Sequence, residues 1–421
     1  MFEIILLVIG LYALLLKKEE WTITIMVFLA FRLVGLGDGM LVEGTLARLN
    51  AALILMFALW IYCKQNYRIQ NVLTPELQSV FSFQKYLFIY VVINVVIDFI
   101  INGIDLWSVL RTSRHWVFLL TFVPISMLPA KVLKQSVYNL FIISMLVTVV
   151  IVIEQYTGFH YFTRNHSISG MGSDGFRGAI PTTFAVLFIF MLYNGYKSFD
   201  FKKKFGYLGI IMLTVLRSAI RSQFIGIAAG VVISAYYTSR NKIFSIVKVA
   251  TLGVVLLGTL YATPVLRNRF LEADEVKYGI NEDSEGTFAF RINLITERFE
   301  YLCGDPIKLM FGVGSVANED FTGHRFNLNT LAPFDSGDTC WVAILCRLGL
   351  IGTILLVILL VKYINFFSRH KLNNLFAMSM MCYLIIWLFP ISFASYEMQC
   401  GYFWILPAIF AKLVSDENQK I

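Results

Sequence analysis

Charge is scarce in this chain. Asp, Glu, Lys and Arg make up 15% of its 421 residues, against about a quarter in an ordinary globular domain, which excludes a water-facing surface of the usual kind. The signatures of familiar chemistry are scarce too. There is no P-loop and no HExxH, and Gly312-Val313-Gly314 is too short to hold a nucleotide by itself. The histidines His115, His160, His166, His324 and His370 lack metal-ligand spacing. The cysteines Cys63, Cys303, Cys340, Cys346, Cys382 and Cys400 form no CxxC, so neither a metal nor a redox cofactor is expected. Repeats of the inverted-topology transporter kind and paired Gly/Pro-broken helices are missing as well.

Apolar residues fill the gap. The chain is 58% hydrophobic with a mean hydropathy of +0.71, and nearly uncharged runs recur at 2–16, 21–37, 49–63, 86–102, 116–130, 137–157, 179–196, 207–220, 221–239, 243–262, 339–361, 375–394 and 399–414. Several fall short of the ~20 residues that cross a bilayer unaided. An all-α polytopic membrane protein of about twelve to fourteen transmembrane helices is expected, with the bilayer as its first partner and no nucleic acid among the others. The first run lacks a basic leader and a small-residue cleavage site, so a retained helix is expected there. The organisation reads as a helical bundle over 1–262, one large extracytoplasmic loop with amphipathic helices over 263–338, and C-terminal transmembrane helices over 339–421.

Lysine and arginine segregate. Lys17, Lys18, Lys64, Lys85, Lys131, Lys134, Lys197, Lys202, Lys203, Lys204, Lys242, Lys362 and Lys371 fall where alternate runs end, which by the positive-inside rule makes that face cytoplasmic. The other face has Lys277 and Lys308 but carries Arg111, Arg114, Arg164, Arg177, Arg217, Arg221, Arg267, Arg269, Arg291, Arg298 and Arg325. Any one of these could simply snorkel to lipid phosphates. As a set they suit an anion, since a guanidinium offers a rigid two-pronged contact to phosphate and lysine only a point charge. Cys303, Cys340 and Cys400 lie near the same face, where one disulfide is allowed.

Within 263–338, apolar residues at 288, 292, 295, 299 and 302 recur at helical spacing and predict an amphipathic helix whose apolar face lies on the membrane domain, with Arg291 and Arg298 together on another side. Gly304-Asp-Pro306 stops it, and Phe311-Gly312-Val313-Gly314-Ser315 is a tight backbone passage. Asp335-Ser-Gly-Asp338-Thr-Cys-Trp341 then runs directly into the next span.

This order of parts resembles the O-antigen polymerase and O-antigen ligase superfamily of bacterial envelope glycan assembly. The parts are Arg291 on a helix, Pro306, Gly312-Val-Gly314, Asp338-Thr-Cys-Trp341 and Gly349-Leu-Ile-Gly352, preceded by Arg217-Ser-Ala-Ile-Arg221-Ser222 at the outer end of an earlier span. The likeness covers roughly residues 165 to 365. It implies a metal-independent glycosyltransferase of the bacterial cytoplasmic membrane, with its active site on the periplasmic or extracellular side. Its donor and acceptor would be polyprenyl-pyrophosphate-linked glycans of O-antigen, capsule or exopolysaccharide type, with room for a chain-length regulator partner. Ligases of the family hold histidine where this chain has Asp338, which favours a polymerase, with ligase or lipid-linked-oligosaccharide flippase as alternatives.

The resemblance implies roles that chemistry makes sensible. A carboxylate in hydrogen-bond reach can take the proton of an attacking sugar hydroxyl, a role for Asp338 with Asp335 as the substitute. Arginines can stabilise the charge that grows on a departing pyrophosphate, a role for Arg291, Arg217 and Arg221, with Arg177 and Arg298 as further candidates. Asp338 with Ser336 and Thr339 could equally cap the helix that starts there, and Arg217 with Arg221 could merely set the depth of a hairpin. Inside the membrane, Arg32, Asp98 and Arg347 demand partners or a cavity; Asp98 and Glu154 are the acids available to Arg347.

Overall fold

The computed structural model describes residues 2–31, 44–67, 73–101, 105–157, 182–196, 203–204, 206–210, 221–238, 243, 247, 287–314, 340–386 and 400–418. These are helical, with turns between, and no strand occurs among them. The α-helices are α1 (Phe2–Leu15), α2 (Glu19–Ala30), α3 (Gly44–Asn66), α4 (Pro75–Ile100), α5 (Leu106–Ser113), α6 (Phe122–Met127), α7 (Ala130–Thr157), α8 (Thr182–Tyr193), α9 (Arg221–Thr238), α10 (Thr287–Cys303), α11 (Pro306–Phe311), α12 (Cys340–His370), α13 (Leu375–Ile386) and α14 (Ile405–Asn418). Three of them, Pro75–Ile100, Ala130–Val150 and Trp341–His370, are long and apolar enough to cross a membrane.

Two apolar runs form helices of mixed type. Arg114–Thr121 is a 3-10 helix leading into α6, and at 2.0 Å per 3-10 residue and 1.5 Å per α residue the pair extends about 25 Å. Fourteen α-helical residues alone would reach only about 21 Å. Gly401–Trp404 is likewise a 3-10 turn opening α14. The two 3-10 stretches pack on each other, and Gly401 permits it. A Cβ there would come within 2.6 Å of the His115 carbonyl oxygen and the Trp116 Cα.

The core is a continuous apolar cluster through α2, α3, α4, α7, α8, α12, α13 and α14. Polar groups stitch one end of the bundle. Glu19 accepts hydrogen bonds from the Tyr62 and Tyr67 hydroxyls at 2.8 and 2.9 Å, and Ser136 donates to the Glu20 carbonyl. Lys134 and Asn374 both engage Glu417, Arg369 pairs with Glu76 at 2.6 Å, and Lys362 donates to Ser79. The lysines of several turns are thus collected at one end. At the other end lie α5, α10, α11 and the start of α12, with Arg111, Arg114, Arg298 and Arg347.

Helix α10 forms where the periodicity predicts and ends at Gly304, whose amide bonds the Glu300 carbonyl. Its buried side is only in part the predicted apolar one, being turned toward the arginine side. Leu302, at one edge of the predicted stripe, is 0% exposed, but Ile292 and Phe299 are exposed and Arg298 is 0% exposed. The reason is local. Leu302 joins Val109, Val313 and Cys346 in a second, smaller core, and Arg298, four residues back on the same face, goes in with it.

Candidate functional site

At this second core the glycine motifs meet. The backbone of α12 breaks at Gly349, whose φ of 64° and ψ of −173° no helix interior accommodates. A break strands carbonyls that would have bonded amides one turn on. The Cys346 carbonyl accepts instead from the Val313 amide at 2.7 Å, and the Leu348 carbonyl from the Tyr90 hydroxyl at 2.5 Å. Gly312 and Gly314 have φ of 84° and 81°, the left-handed region that glycine enters at no steric cost. Space demands glycine as well as torsion. A Cβ on Gly312 would stand 2.7 Å from the Cys346 and Arg347 carbonyl oxygens and the Gly349 nitrogen, and one on Gly349 would overlap the Met310 carbonyl.

Helix α4 supplies the floor. Tyr90, Asn94 and Asp98 recur at four-residue spacing, so they share one face, and all three are buried. Tyr90 binds the Leu348 carbonyl, Asn94 donates to the Phe311 carbonyl at 2.5 Å, and the Asp98 carboxylate lies where a side chain on Gly314 would have to go. Asn94 thereby satisfies the last carbonyl of α11, the helix that opens with Pro306 and is capped by Asp305, whose carboxylate accepts from the Ile307 amide at 3.0 Å. A buried acid is thus set beside a turn whose backbone is held from two sides.

Arg298 stands in the wall on α10. Its Nη1 bonds Glu297 Oε2 at 2.9 Å. Burial lowers its pKa from the free-guanidinium value, and the Glu297 charge works against that shift; an arginine keeps its proton through such changes. Nearby, the Lys308 ammonium lies 3.2 Å from the Tyr301 hydroxyl and 3.7 Å from Asp305.

Of the residues given a catalytic or pyrophosphate-binding role from sequence, Arg298 is the one whose side chain is described. Arg291 lies within α10, seven positions before Arg298, and Arg221 opens α9, which packs on α8 and α13; for both the backbone alone is described. Arg177, Arg217, Asp335 and Asp338 lie outside the described residues, as do Arg32 and the acidic run 272–285. Asp338 precedes by two positions Cys340, the first residue of α12. Cys303 and Cys400 are free thiols, exposed and buried respectively, so no disulfide joins them. Asp98 and Arg347 are both buried, on the two helices that the glycine turn bridges. Reading each charge alone misses Tyr90 and Asn94. The signal was their four-residue spacing with Asp98 along a run otherwise free of charge.

The fold and site define an all-helical chain with helices able to cross a membrane and a polar, glycine-built junction at one end of the bundle. The chain matches no protein-family model and no curated protein.

Proposed function

We propose that this protein is a polysaccharide polymerase of the O-antigen polymerase and ligase type. It would be a multi-pass protein of the bacterial cytoplasmic membrane that joins polyprenyl-pyrophosphate-linked repeat units on the outer face. The observation that carries the reading is the meeting of Gly312-Val-Gly314 with Gly349-Leu-Ile-Gly352, beside the arginine helix and at the end of the bundle away from the clustered lysine turns. In this reading the lysine-bearing end is cytoplasmic, residues 263–338 are the extracytoplasmic loop, and about twelve to fourteen spans hold the chain in the bilayer.

The chemistry follows from the leaving group. The glycosidic bond to the donor pyrophosphate breaks as the acceptor hydroxyl attacks the anomeric carbon. Asp338, or Asp335, takes the hydroxyl proton, and Arg291, Arg217 and Arg221, with Arg177 and Arg298, hold the pyrophosphate as its charge grows. The α4 face of Tyr90, Asn94 and Asp98 keeps the backbone at the mouth of the site rigid. Rigidity matters because preorganised groups need no rearrangement when charge develops.

The size profile of surface and lipid-linked glycan tests this in a deletion strain, with the gene restored or absent. Glycan limited to a single repeat is the expected outcome, and Asp338→Ala or Arg291→Ala should reproduce it with the protein still inserted. Long polymer stranded on its carrier lipid would instead mean a ligase, and single units stranded on the cytoplasmic leaflet a flippase. An unchanged profile would remove the reading altogether.

A further inference from the structure

Helix α5 is the short element between α4 and the 3-10 stretch, and its two sides are unlike. Val109 is 0% exposed and belongs to the same small core as Leu302, Val313 and Cys346, which seats α5 against α10 and the glycine turn. Leu106, Trp107 and Leu110 turn outward, and Trp107 is 73% exposed. Arg111 is exposed next to them, and Arg114 follows half-buried at the head of the 3-10 stretch.

An arginine that merely snorkels puts its whole guanidinium in water. Arg114 does not. Its Nε is shut off from solvent with no acceptor in hydrogen-bond reach among the described residues. Burial and the neighbouring Arg111 both act to lower its pKa. Two guanidinium groups held within electrostatic range of each other, one partly desolvated, are costly unless an anion joins them. The apolar residues alongside say how that anion arrives, since a free phosphate has no use for an exposed tryptophan and two leucines, while a lipid has.

We infer that α5 is a lipid-headgroup site, in which Arg111 and Arg114 bind the pyrophosphate of a polyprenyl-linked lipid and Leu106, Trp107 and Leu110 lie along the first part of its chain. The inference rests on the proposed function for the choice of lipid and adds a docking station not among the residues assigned to the reaction. The shared core through Val109 ties this station to the glycine turn.

The test uses the full-length protein in nanodiscs of phosphatidylcholine, titrated with polyprenyl pyrophosphate and followed by native mass spectrometry. Saturable binding is expected, weakened by about tenfold or more in R111Q/R114Q, on the scale of two lost charge-assisted hydrogen bonds, and resistant to an equal amount of phosphatidylglycerol. Equal binding by wild type and R111Q/R114Q, or displacement by phosphatidylglycerol, overturns the inference. Should R114Q not fold, R111Q alone decides. Arg111 is exposed, so its loss spares the fold, and undiminished binding would overturn the inference just as well. Binding is read on purified protein, so an unchanged glycan profile in the deletion strain would remove the polymerase while leaving this site standing.

Discussion

Gly312 and Gly349 offer the sharpest contrast with a glycine that has room. Gly195 also has a left-handed φ, 92°, but nothing lies within 4 Å of where its Cβ would be. Gly195→Ala should therefore cost only the torsional penalty of about 1–2 kcal/mol. Gly312→Ala and Gly349→Ala carry the same penalty and must also push carbonyls out of position, so their loss should exceed about 3 kcal/mol. Thermal unfolding of the detergent-purified protein ranks the three, and equal melting temperatures would show that the junction is softer than its geometry. The arginines divide in the same way. Arg298 is fully enclosed and bonded to Glu297, so Arg298→Ala should remove about 3 kcal/mol of stability by leaving a cavity and removing that bond. Arg291→Ala, if that residue serves substrate, should leave the melting temperature within about 2 °C of wild type and abolish polymer growth.

At the scale of elements, α4 explains why α12 can tolerate a break. Tyr90 and Asn94 close carbonyls that the break and the end of α11 leave open, and an open carbonyl in an apolar setting costs about 1–3 kcal/mol. Tyr90→Phe and Asn94→Leu should each destabilise by about that amount. The double variant should lose less than the sum, because both bonds hold one junction. Additive losses would mean that the two bonds act separately. The same elements show what periodicity could and could not reveal. The spacing of apolar residues in 288–302 locates α10, and Gly304 with Pro306 locates its end. The spacing does not say how far the helix is turned about its axis: Leu302, at one edge of the apolar stripe, is drawn inward by Val109, Val313 and Cys346, residues far apart in sequence, and Arg298 beside it goes in while Ile292 and Phe299 stay out. Gly349 opens the Gly349-Leu-Ile-Gly352 motif in the sequence. The break it makes is legible only beside Gly312, whose backbone needs the space.

For the whole molecule, the sorting of cations is the feature to test. Lysine-bearing turns gather at one end through Glu19, Glu76 and Glu417, while the arginines of α5 and α10 lie at the other. Cys303 is an exposed thiol at the arginine end, whereas Cys63, Cys346, Cys382 and Cys400 are buried. In a Cys340→Ser background, a membrane-impermeant maleimide added to spheroplasts should label Cys303 without cell lysis; labelling only after lysis would invert the orientation. Composition and hydropathy determined by themselves that the chain is helical and apolar enough for a membrane, because removing charge from long stretches leaves the helix as the way to satisfy every backbone amide without water. They also determined that most of the arginines fall on turns other than those of the lysines. Tertiary structure alone decided that the two glycine motifs touch, that Tyr90, Asn94 and Asp98 floor that contact, and that Arg298 is enclosed while Arg111 and Arg114 stand together by an exposed tryptophan. Each of these depends on which distant backbone comes within hydrogen-bond reach of which, and local spacing carries no record of that.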